Sequence, residues 1–324
     1  MAGESVAFFE RRYMPLREAK ISIADPAITK SDIVFDVVST TDRVFFRLDD
    51  HVHRFEISCR KIRVTLPVGG DEIKRISAEC VHRSGFDDAC VFMCGTRGLY
   101  RSGGVLGDPR DCDNGFYAYA VPYYYVVPRE RIETGAHIWI AETRRAPNVA
   151  IDQTVKNFNR MDLTKGTFEA LDHGADAAVL LSTEGYVAEG AGFNIWVVRG
   201  KTLLTPGVNL LEGITRRTVF DLATEMANQS LDWPRSRITK GANRVPFDLM
   251  RDLEQLPDLP LVGAPLSHPG QHPPHPARPF ATGCALPTTL VFIEVRNARD
   301  GAYDVRRFVH DDDGGRAKPA LEVP

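Results

Sequence analysis

The sequence predicts an α+β protein of two domains, and three observations support this prediction. Segments typical of strands alternate with segments of helical periodicity along residues 20–226. The chain has 324 residues, which is long enough for two domains. A short polar connection that contains proline, RRAPNVAI, separates the first half of this pattern from the second. We therefore expect a small N-terminal α/β domain over residues 1–145 and a larger domain over residues 146–324.

The first domain is predicted to place two amphipathic helices among several strands. We expect strands in KISIADPAI and DIVFDVVSTTDRVFFRL, followed by a helix in LDDHVHRFEISCRKIRV, where apolar residues recur at helical spacing. A second helix, GDEIKRISAECVHRSG, ends at Gly85, because glycine readily adopts the left-handed conformation after a helix. Further strands are expected in DACVFMCGTRGLY, FYAYAVPYYYVV and HIWIAETRR.

The second domain is predicted to combine helices with hairpins. We expect helices in GTFEALDHGAD and GITRRTVFDLATEMA, and hairpins in AAVLLSTEGYVAEG and FNIWVVRGKTLLTP. The C-terminal part is expected to be irregular. Residues 254–279 are rich in Pro and His without periodicity, which predicts a disordered insertion, and residues 310–324 predict a disordered tail. One hypothesis for the insertion is an artefact of the gene model, such as a retained intron.

Composition excludes several classes of function. A net charge of −3, with 26% charged residues, gives no electrostatic reason to expect binding to nucleic acid or to an anionic membrane. No apolar run approaches the roughly 20 residues that span a bilayer, and the first residues contain no apolar core of a signal peptide. The six cysteines include no CxxC pair, which argues against a zinc site and favours a cytoplasmic protein.

Lys156 is the first candidate for chemistry. The segment TVKNFNRMDLTKG places it without an acidic neighbour within three positions on either side, whereas most lysines here lie beside other charges. A lysine becomes a nucleophile when desolvation lowers its pKa, and it then forms a Schiff base with a carbonyl group. The alternative is a solvated lysine in a loop.

Three further patterns could bind a charged cofactor. Glu189 in VAEGAGFNI could pair with a heteroaromatic nitrogen, or it could be a turn residue. In LLEGITRRTVF, Ile214 and Thr215 begin a helix whose N–H groups could bind an anion, or Thr215 could simply cap it. Arg63, in CRKIRVTLP, could hold a phosphate, or it could interact favourably with the C-terminus of its helix.

A lysine, a carboxylate, an arginine and a helix N-terminus are together what pyridoxal 5'-phosphate requires. The GxGxxG, Walker A and HExxH patterns are absent, which removes several rival chemistries, and no metal ligand set is identified. The four patterns therefore favour a pyridoxal-phosphate enzyme over other classes.

The same segments resemble class IV aminotransferases, the fold type IV family of pyridoxal-phosphate enzymes. FFRLDDHVHRFEISCRKIRVTLP, TRGL, VKNFNRMDLTKG, EGYVAEGAGFNIWVV and LLEGITRRTV match this family in order, over roughly residues 10–226. They are most similar to the fungal-type (R)-selective amine transaminase branch and to branched-chain aminotransferases. The resemblance implies a larger C-terminal domain with an antiparallel, pseudo-barrel sheet, and it implies a homodimer.

By resemblance, Lys156 is the lysine of the internal aldimine and the acid and base of the proton shift. Glu189 would face the pyridine nitrogen, and Arg63 with Ile214 and Thr215 would hold the phosphate. The family also has a second phosphate-binding turn. Its nearest match is FATGCA, which would place Thr282 and Cys284 beside the phosphate, with a thiol in place of a hydroxyl.

Some positions depart from the (R)-selective branch. Lys30 stands where that branch has a histidine, and Phe35 stands where it has a tyrosine. An arginine that receives the substrate carboxylate often follows TRGL in that branch, and here Arg101 is the candidate. These differences prevent a transfer of substrate specificity.

The expected activity is transfer of an amino group between an amine or amino acid and a 2-oxo acid. Two alternatives remain at this point. One is a lyase of the aminodeoxychorismate type, which shares the fold and the cofactor residues. The other is a homologue without enzymatic activity, whose C-terminal phosphate site is damaged.

Overall fold

The computed structural model describes residues 3–131, 135–199, 202–229, 290–293 and 303–305. The chain forms two compact units and passes between them several times. The first unit contains Met1–Tyr125, Thr143–Lys165 and Asn209–Thr218, and the second contains Val126–Glu142, Gly166–Val208 and the described residues that follow Thr218. The predicted boundary between residues 145 and 146 lies inside the middle segment of the first unit.

The first unit is built on a six-stranded sheet whose hydrogen-bonded neighbours are all antiparallel. The order of the strands is β2-β1-β6-β5-β3-β4. The strands are β1 (Val6–Phe9), β2 (Arg12–Pro15), β3 (Ile33–Thr41), β4 (Val44–Phe45), β5 (Ala89–Thr96) and β6 (Gly115–Pro122). This places β3 between β5 and β4 in the sheet.

Two amphipathic helices, α2 (Leu48–Lys61) and α3 (Gly70–Ser84), pack on one face of this sheet, and both confirm the sequence prediction. Gly85 follows α3 with φ of 73°, as the capping argument requires. Because side chains alternate along a strand, β3 directs Val34 and Val38 into the core beneath the helices. Phe35 lies in a separate cluster on the other face.

Two local predictions were wrong or incomplete in the first 30 residues. KISIADPAI is not a strand: it contains a turn and the short helix α1 (Pro26–Thr29). Asp25 caps this helix by accepting a hydrogen bond of 2.7 Å from the Ala27 N–H group. The hairpin of β1 and β2 was not predicted, because Glu10 and Arg11 occupy its turn at positive φ without a glycine or asparagine signal.

The second unit contains two smaller sheets, of order β13-β7-β8-β9 and β11-β10-β12. The predicted hairpins are confirmed as the antiparallel pairs β8–β9 and β10–β11, whereas β10 and β12 are parallel. The remaining elements are β7 (Ala136–Arg144), α4 (Met161–Asp172), β8 (Ala177–Leu181), β9 (Val187–Gly190), β10 (Asn194–Arg199), β11 (Thr202–Leu204), α5 (Ile214–Gln229), β12 (Leu290–Ile293) and β13 (Tyr303–Val305).

Among the described residues, no helix combines the length and apolar character needed to cross a membrane. Five cysteines are described, and all are free and buried in the first unit: Cys59, Cys80, Cys90, Cys94 and Cys112. The predicted insertion at 254–279 and the predicted tail at 310–324 lie outside the described residues.

Candidate functional site

Lys156 lies half-buried in the first unit, where its segment is attached to β3. The Phe35 N–H group donates a hydrogen bond of 2.9 Å to the Lys156 carbonyl oxygen, and Asn157 forms an isolated bridge with Val34. The Lys156 Nζ atom is 4.7 Å from the centroid of the Phe35 ring. The predicted lysine is therefore held by backbone contacts, and its amine packs against an aromatic face.

A buried carboxylate, Asp36, holds two side chains of α2 close to Lys156. Its side chain is fully buried and accepts two hydrogen bonds of 2.8 Å from the Arg54 guanidinium. The His51 Nδ1 atom is 2.8 Å from the Asp36 Oδ1 atom. His51 and Arg54 are three positions apart on the helix, so they lie on one face and reach the same carboxylate.

The charges in this cluster follow from its burial and from its partners. Burial alone would raise the pKa of Asp36, but the Arg54 guanidinium and His51 outweigh it and hold the pKa well below its usual range. Burial lowers the pKa of His51, and the positive charges of Arg54 and Lys156 add to this effect. At neutral pH the cluster therefore contains an ionised Asp36, a charged Arg54 and a neutral His51 that donates through Nδ1.

Arg54 also contacts the segment that precedes α5. Its Nη1 atom donates to the Glu212 carbonyl oxygen at 2.9 Å, one residue before Gly213. The Arg217 N–H group donates to the Gly213 carbonyl oxygen, which closes the first turn of α5 just after the carbonyl group that Arg54 contacts. A guanidinium beside a helix N-terminus is favourable for an anion such as a phosphate.

Ile214 and Thr215 occupy the positions predicted for them, at the first turn of α5 in the first unit. Both residues are buried. Thr218, one turn later, donates its hydroxyl to the Ile214 carbonyl oxygen and accepts a hydrogen bond of 2.9 Å from Arg47. Arg47 and Arg54 therefore both tie α2 to the beginning of α5.

The structure places Arg63 away from this cluster of contacts. It is exposed just after α2, with φ of 60°, and lines an open groove with a volume of about 530 Å³. Arg97, Arg101 and Arg110 line the same groove. The contacts that lead to the start of α5 come from Arg54, which is therefore a second candidate for the phosphate, and the role of Arg63 there stays a prediction.

Glu189 lies in the second unit, in a strand whose residues are all buried. The Asn194 side-chain amide is 3.5 Å from the Glu189 Oε2 atom. The next residue, Gly190, has no room for a side chain, because a Cβ atom there would lie 2.1 Å from the Phe193 ring. The glycine after Glu189 thus makes room for the Phe193 ring, and the role of Glu189 toward a cofactor nitrogen stays a prediction.

Thr282 and Cys284 lie outside the described residues. Within the described part of the chain, no group of three or more His, Cys, Asp or Glu side chains is arranged to hold a metal ion.

Sequence reasoning missed Asp36, His51 and Arg54, although two signals were present. Asp36 interrupts the apolar run IVFDVV, and a carboxylate at a buried strand position requires a partner. His51 and Arg54 follow on the predicted helix at a spacing of three residues. A search for the partner of Asp36 among the helix residues would have found both.

Two residues that depart from the amine transaminase pattern, Lys30 and Arg101, make contacts with nearby side chains. Lys30 donates a hydrogen bond of 2.7 Å to the Tyr100 hydroxyl. Arg101, the sequence candidate for the substrate carboxylate, is exposed and pairs with Asp111 and Asp113. The charge of Arg101 is therefore already balanced within its own loop.

Comparisons with known proteins identify the family and the fold. The amino-transferase class IV family model matches residues 33–232. A branched-chain-amino-acid aminotransferase of Pseudomonas aeruginosa is 26% identical over 232 residues, which cover 68% of this chain and 73% of the relative.

Solved structures give the same result. The crystal structure of a branched-chain amino acid aminotransferase from Thermobaculum terrenum, in its PLP form, is 26% identical, with a TM-score of 0.60, and covers 70% of this chain and 76% of that one. A branched-chain aminotransferase from Thermoproteus uzoniensis, crystallised with norvaline, has a TM-score of 0.65 at 23% identity, with coverage of 77% and 80%, and supports the fold. The predicted fold type IV architecture is thus confirmed, and the chain belongs to the class IV aminotransferase family.

Proposed function

We propose that this aminotransferase uses pyridoxal 5'-phosphate attached to Lys156 to move an amino group between an amino acid or amine and a 2-oxo acid. The observation that supports the proposal most directly lies in the first unit. There, a half-buried lysine shares its surroundings with an arginine that Asp36 orients toward the start of α5.

The residues present fit this cofactor. A phosphate requires a cation and N–H donors, and Arg54 with the first turn of α5 supplies both chemistries in one unit. An aldehyde requires an amine, and Lys156 presents one beside the face of the Phe35 ring. When bound, pyridoxal phosphate supplies an electron sink on which the amino group is exchanged.

Residues of the chain are proposed to bind each part of the cofactor. Lys156 binds the aldehyde carbon and carries the proton that moves during exchange. Arg54, Ile214 and Thr215 hold the phosphate, and Asp36 fixes the orientation of the Arg54 guanidinium. Arg63 remains an alternative phosphate ligand, and Glu189 is proposed to keep the pyridine nitrogen protonated. Thr282 and Cys284 are proposed to belong to a second turn that binds the phosphate.

Amino acids and 2-oxo acids are the substrate class that the relatives favour. Those described above are named as branched-chain amino acid aminotransferases, and one was crystallised with norvaline. A branched or linear aliphatic amino acid is therefore the first substrate to assay. The resemblance to (R)-selective amine transaminases adds a second assay with an (R)-amine as donor, and the lyase reaction is not favoured.

The proposal also includes a homodimer in the cytoplasm, with the chain divided into domains near residue 145. The dimer rests on the family resemblance, and light scattering at micromolar concentration tests it: a monomer alone would contradict it. The free thiols of the described cysteines are consistent with a reducing compartment.

Replacement of Lys156 tests the proposed function. Lys156→Ala should lose amino-group exchange down to the background rate and lose the visible absorbance, near ~400–430 nm, of lysine-bound pyridoxal phosphate. Lys165→Ala removes an exposed lysine of α4 and should keep both properties. Exchange that persists in the Lys156 variant would assign the nucleophile to another residue.

A further inference from the structure

Arg160 and Lys156 lie beside the same aromatic ring. The Arg160 Cζ atom is 5.7 Å from the centroid of Phe35, and the Lys156 Nζ atom is 4.7 Å from it. The two cationic groups are therefore no farther apart than the sum of these distances. The Arg160 guanidinium therefore lies beside the same ring that the Lys156 amine contacts.

The backbone of Arg160 is fixed by three hydrogen bonds. Its N–H group donates to the Phe158 carbonyl oxygen at 2.8 Å. Its own carbonyl oxygen accepts from the Thr164 N–H group at 3.0 Å and from the Thr164 hydroxyl at 3.2 Å. Arg160 thus stands immediately before α4 at a position that the helix determines, and the side chain begins from a rigid base.

An aromatic surface continues from Phe35 across the sheet of the first unit. Phe35 stacks on Phe92, with 6.4 Å between ring centroids, and Phe92 stacks on Tyr119 at 4.7 Å and on Tyr124 at 6.4 Å. Burial raises the pKa of Tyr124, whereas the positive charge of Arg160 acts in the opposite direction, so Arg160 also faces this end of the surface. The surface suits an apolar side chain.

Two other arginines of the first unit, Arg97 and Arg101, are engaged in ion pairs. Arg101 is bound by two aspartates of its own loop. Arg97 is buried, where it forms two hydrogen bonds with the Asp32 carboxylate and donates to the carbonyl oxygens of Ile62 and Arg63. We prefer Arg160 to these two arginines because it lies beside the ring that the Lys156 amine contacts.

We propose that Arg160 binds the carboxylate of the substrate and that the aromatic surface receives its apolar side chain. This inference rests on the proposed function of Lys156 and specifies its substrate. A 2-oxo acid or an amino acid with an apolar side chain would be favoured over the amine that lacks the carboxylate. A guanidinium matches a carboxylate with two parallel N–H donors, which gives orientation as well as charge.

Binding of an inert ligand tests the inference without requiring turnover. The probes are 4-methylvalerate and its uncharged amide, which share the apolar part and carry no amino group to exchange. Calorimetry with the full chain and excess pyridoxal phosphate measures both dissociation constants. The wild-type protein should bind the carboxylate at least about tenfold more tightly than the amide, as expected of one charge-assisted contact.

Three variants identify the residue responsible. Arg160→Gln should weaken binding of the carboxylate by roughly tenfold to a hundredfold and leave binding of the amide unchanged. Arg160→Lys, which retains the charge, should recover part of the loss. Lys165→Gln removes a positive charge from α4, the helix that follows Arg160, and should bind both probes as the wild type does.

The outcomes separate this inference from the proposed function. A wild-type protein that does not discriminate between the probes overturns the inference, even if it exchanges amino groups. Equal loss of both probes in Arg160→Gln also overturns it, because a structural role would affect both. Selective binding of the carboxylate without exchange would support the role of Arg160 while contradicting the role of Lys156.

Discussion

The first unit contains two regions with arginine side chains, and these regions differ in the burial of their ion pairs. In one, Arg54 is largely buried and is held by the buried Asp36. In the other, the groove that Arg63 lines, Arg101 and Arg110 are mostly exposed and pair with aspartates that are also exposed. Exposed pairs of this kind are screened by water and by salt.

This difference is the reason for proposing Arg54, which is buried and supported, as a phosphate ligand, although the groove contains more charges. The groove has more arginines, yet most of its charges are balanced in nearby ion pairs. In the buried region one guanidinium is oriented by two hydrogen bonds and then directed at the start of a helix. Orientation of this kind lowers the entropic cost of binding a phosphate.

The largest expected difference between the two regions concerns stability. Asp36→Asn removes one partner of a buried ion pair and should lower the free energy of unfolding by about 3–5 kcal/mol. Asp113→Asn removes a partner of the exposed Arg101 and should leave that free energy unchanged within error. Urea unfolding of both variants makes the comparison. A similar loss in the two variants would contradict the distinction between the regions.

The next expected effect concerns the affinity for the cofactor. Arg54→Ala should weaken binding of pyridoxal phosphate by roughly 10–150-fold, since a charge-assisted contact contributes about 1.5–3 kcal/mol. Arg63→Ala should leave the dissociation constant close to that of the wild type. Fluorescence titration of the folded variants provides both values. Release of cofactor by Arg63→Ala alone would restore Arg63 as the phosphate ligand.

A smaller effect is expected in the pH dependence of stability. Burial keeps the pKa of His51 below its ordinary value, so the unfolded chain binds a proton first as the pH falls. Neutral His51 therefore makes its full contribution to the free energy of unfolding above about pH 6.5. That contribution is lost as the pH falls toward the pKa of His51 in the folded protein.

Unfolding in urea at a series of pH values tests this window. His51→Asn should lose less stability than the wild type between about pH 7 and pH 5, because no buried imidazole remains to be charged. His82→Asn removes an exposed histidine of α3 and should follow the wild-type curve. Parallel curves for His51→Asn and the wild type would mean that His51 does not control this slope.

The smallest effect concerns the proposed second phosphate turn. Cys284→Thr replaces a weak hydrogen-bond donor with a hydroxyl and should tighten cofactor binding by about 0.5–1.5 kcal/mol, or roughly 2–12-fold. The same titration measures it. An unchanged dissociation constant would show that FATGCA does not contact the phosphate.

The sequence predicted most of the helices and hairpins because their signals are local. The helical spacing of apolar residues in α2 and the glycine that follows α3 can both be read from short segments of sequence, and both predictions are confirmed. The turn of the first hairpin carried no such signal, since Glu10 and Arg11 adopt positive φ only because the paired strands require it. The local sequence does not indicate positive φ at a non-glycine residue when the rest of the fold imposes that conformation.

The candidate site was harder to predict because its partners are distant in the chain. Lys156 could be singled out by its neighbours, but its support comes from β3 and α2, about a hundred positions earlier. The role of Arg63 follows from the family resemblance and stays a prediction, whereas the position of Arg54 depends on Asp36 and on Glu212. Only the folded chain brings these three segments together.

The buried cysteines of the first unit provide a way to measure how often this unit opens. Burial raises the pKa of Cys59, Cys80 and Cys94 to about 12, so almost none of their reactive thiolate form exists at neutral pH. An alkylating reagent can therefore label these thiols only during transient opening of the unit, and the labelling rate measures how often it opens. The chain has six cysteines, and Cys284→Thr removes the one that is not described. In that variant, all remaining cysteines belong to the unit that contains Lys156, and Cys59, Cys80 and Cys94 report its opening.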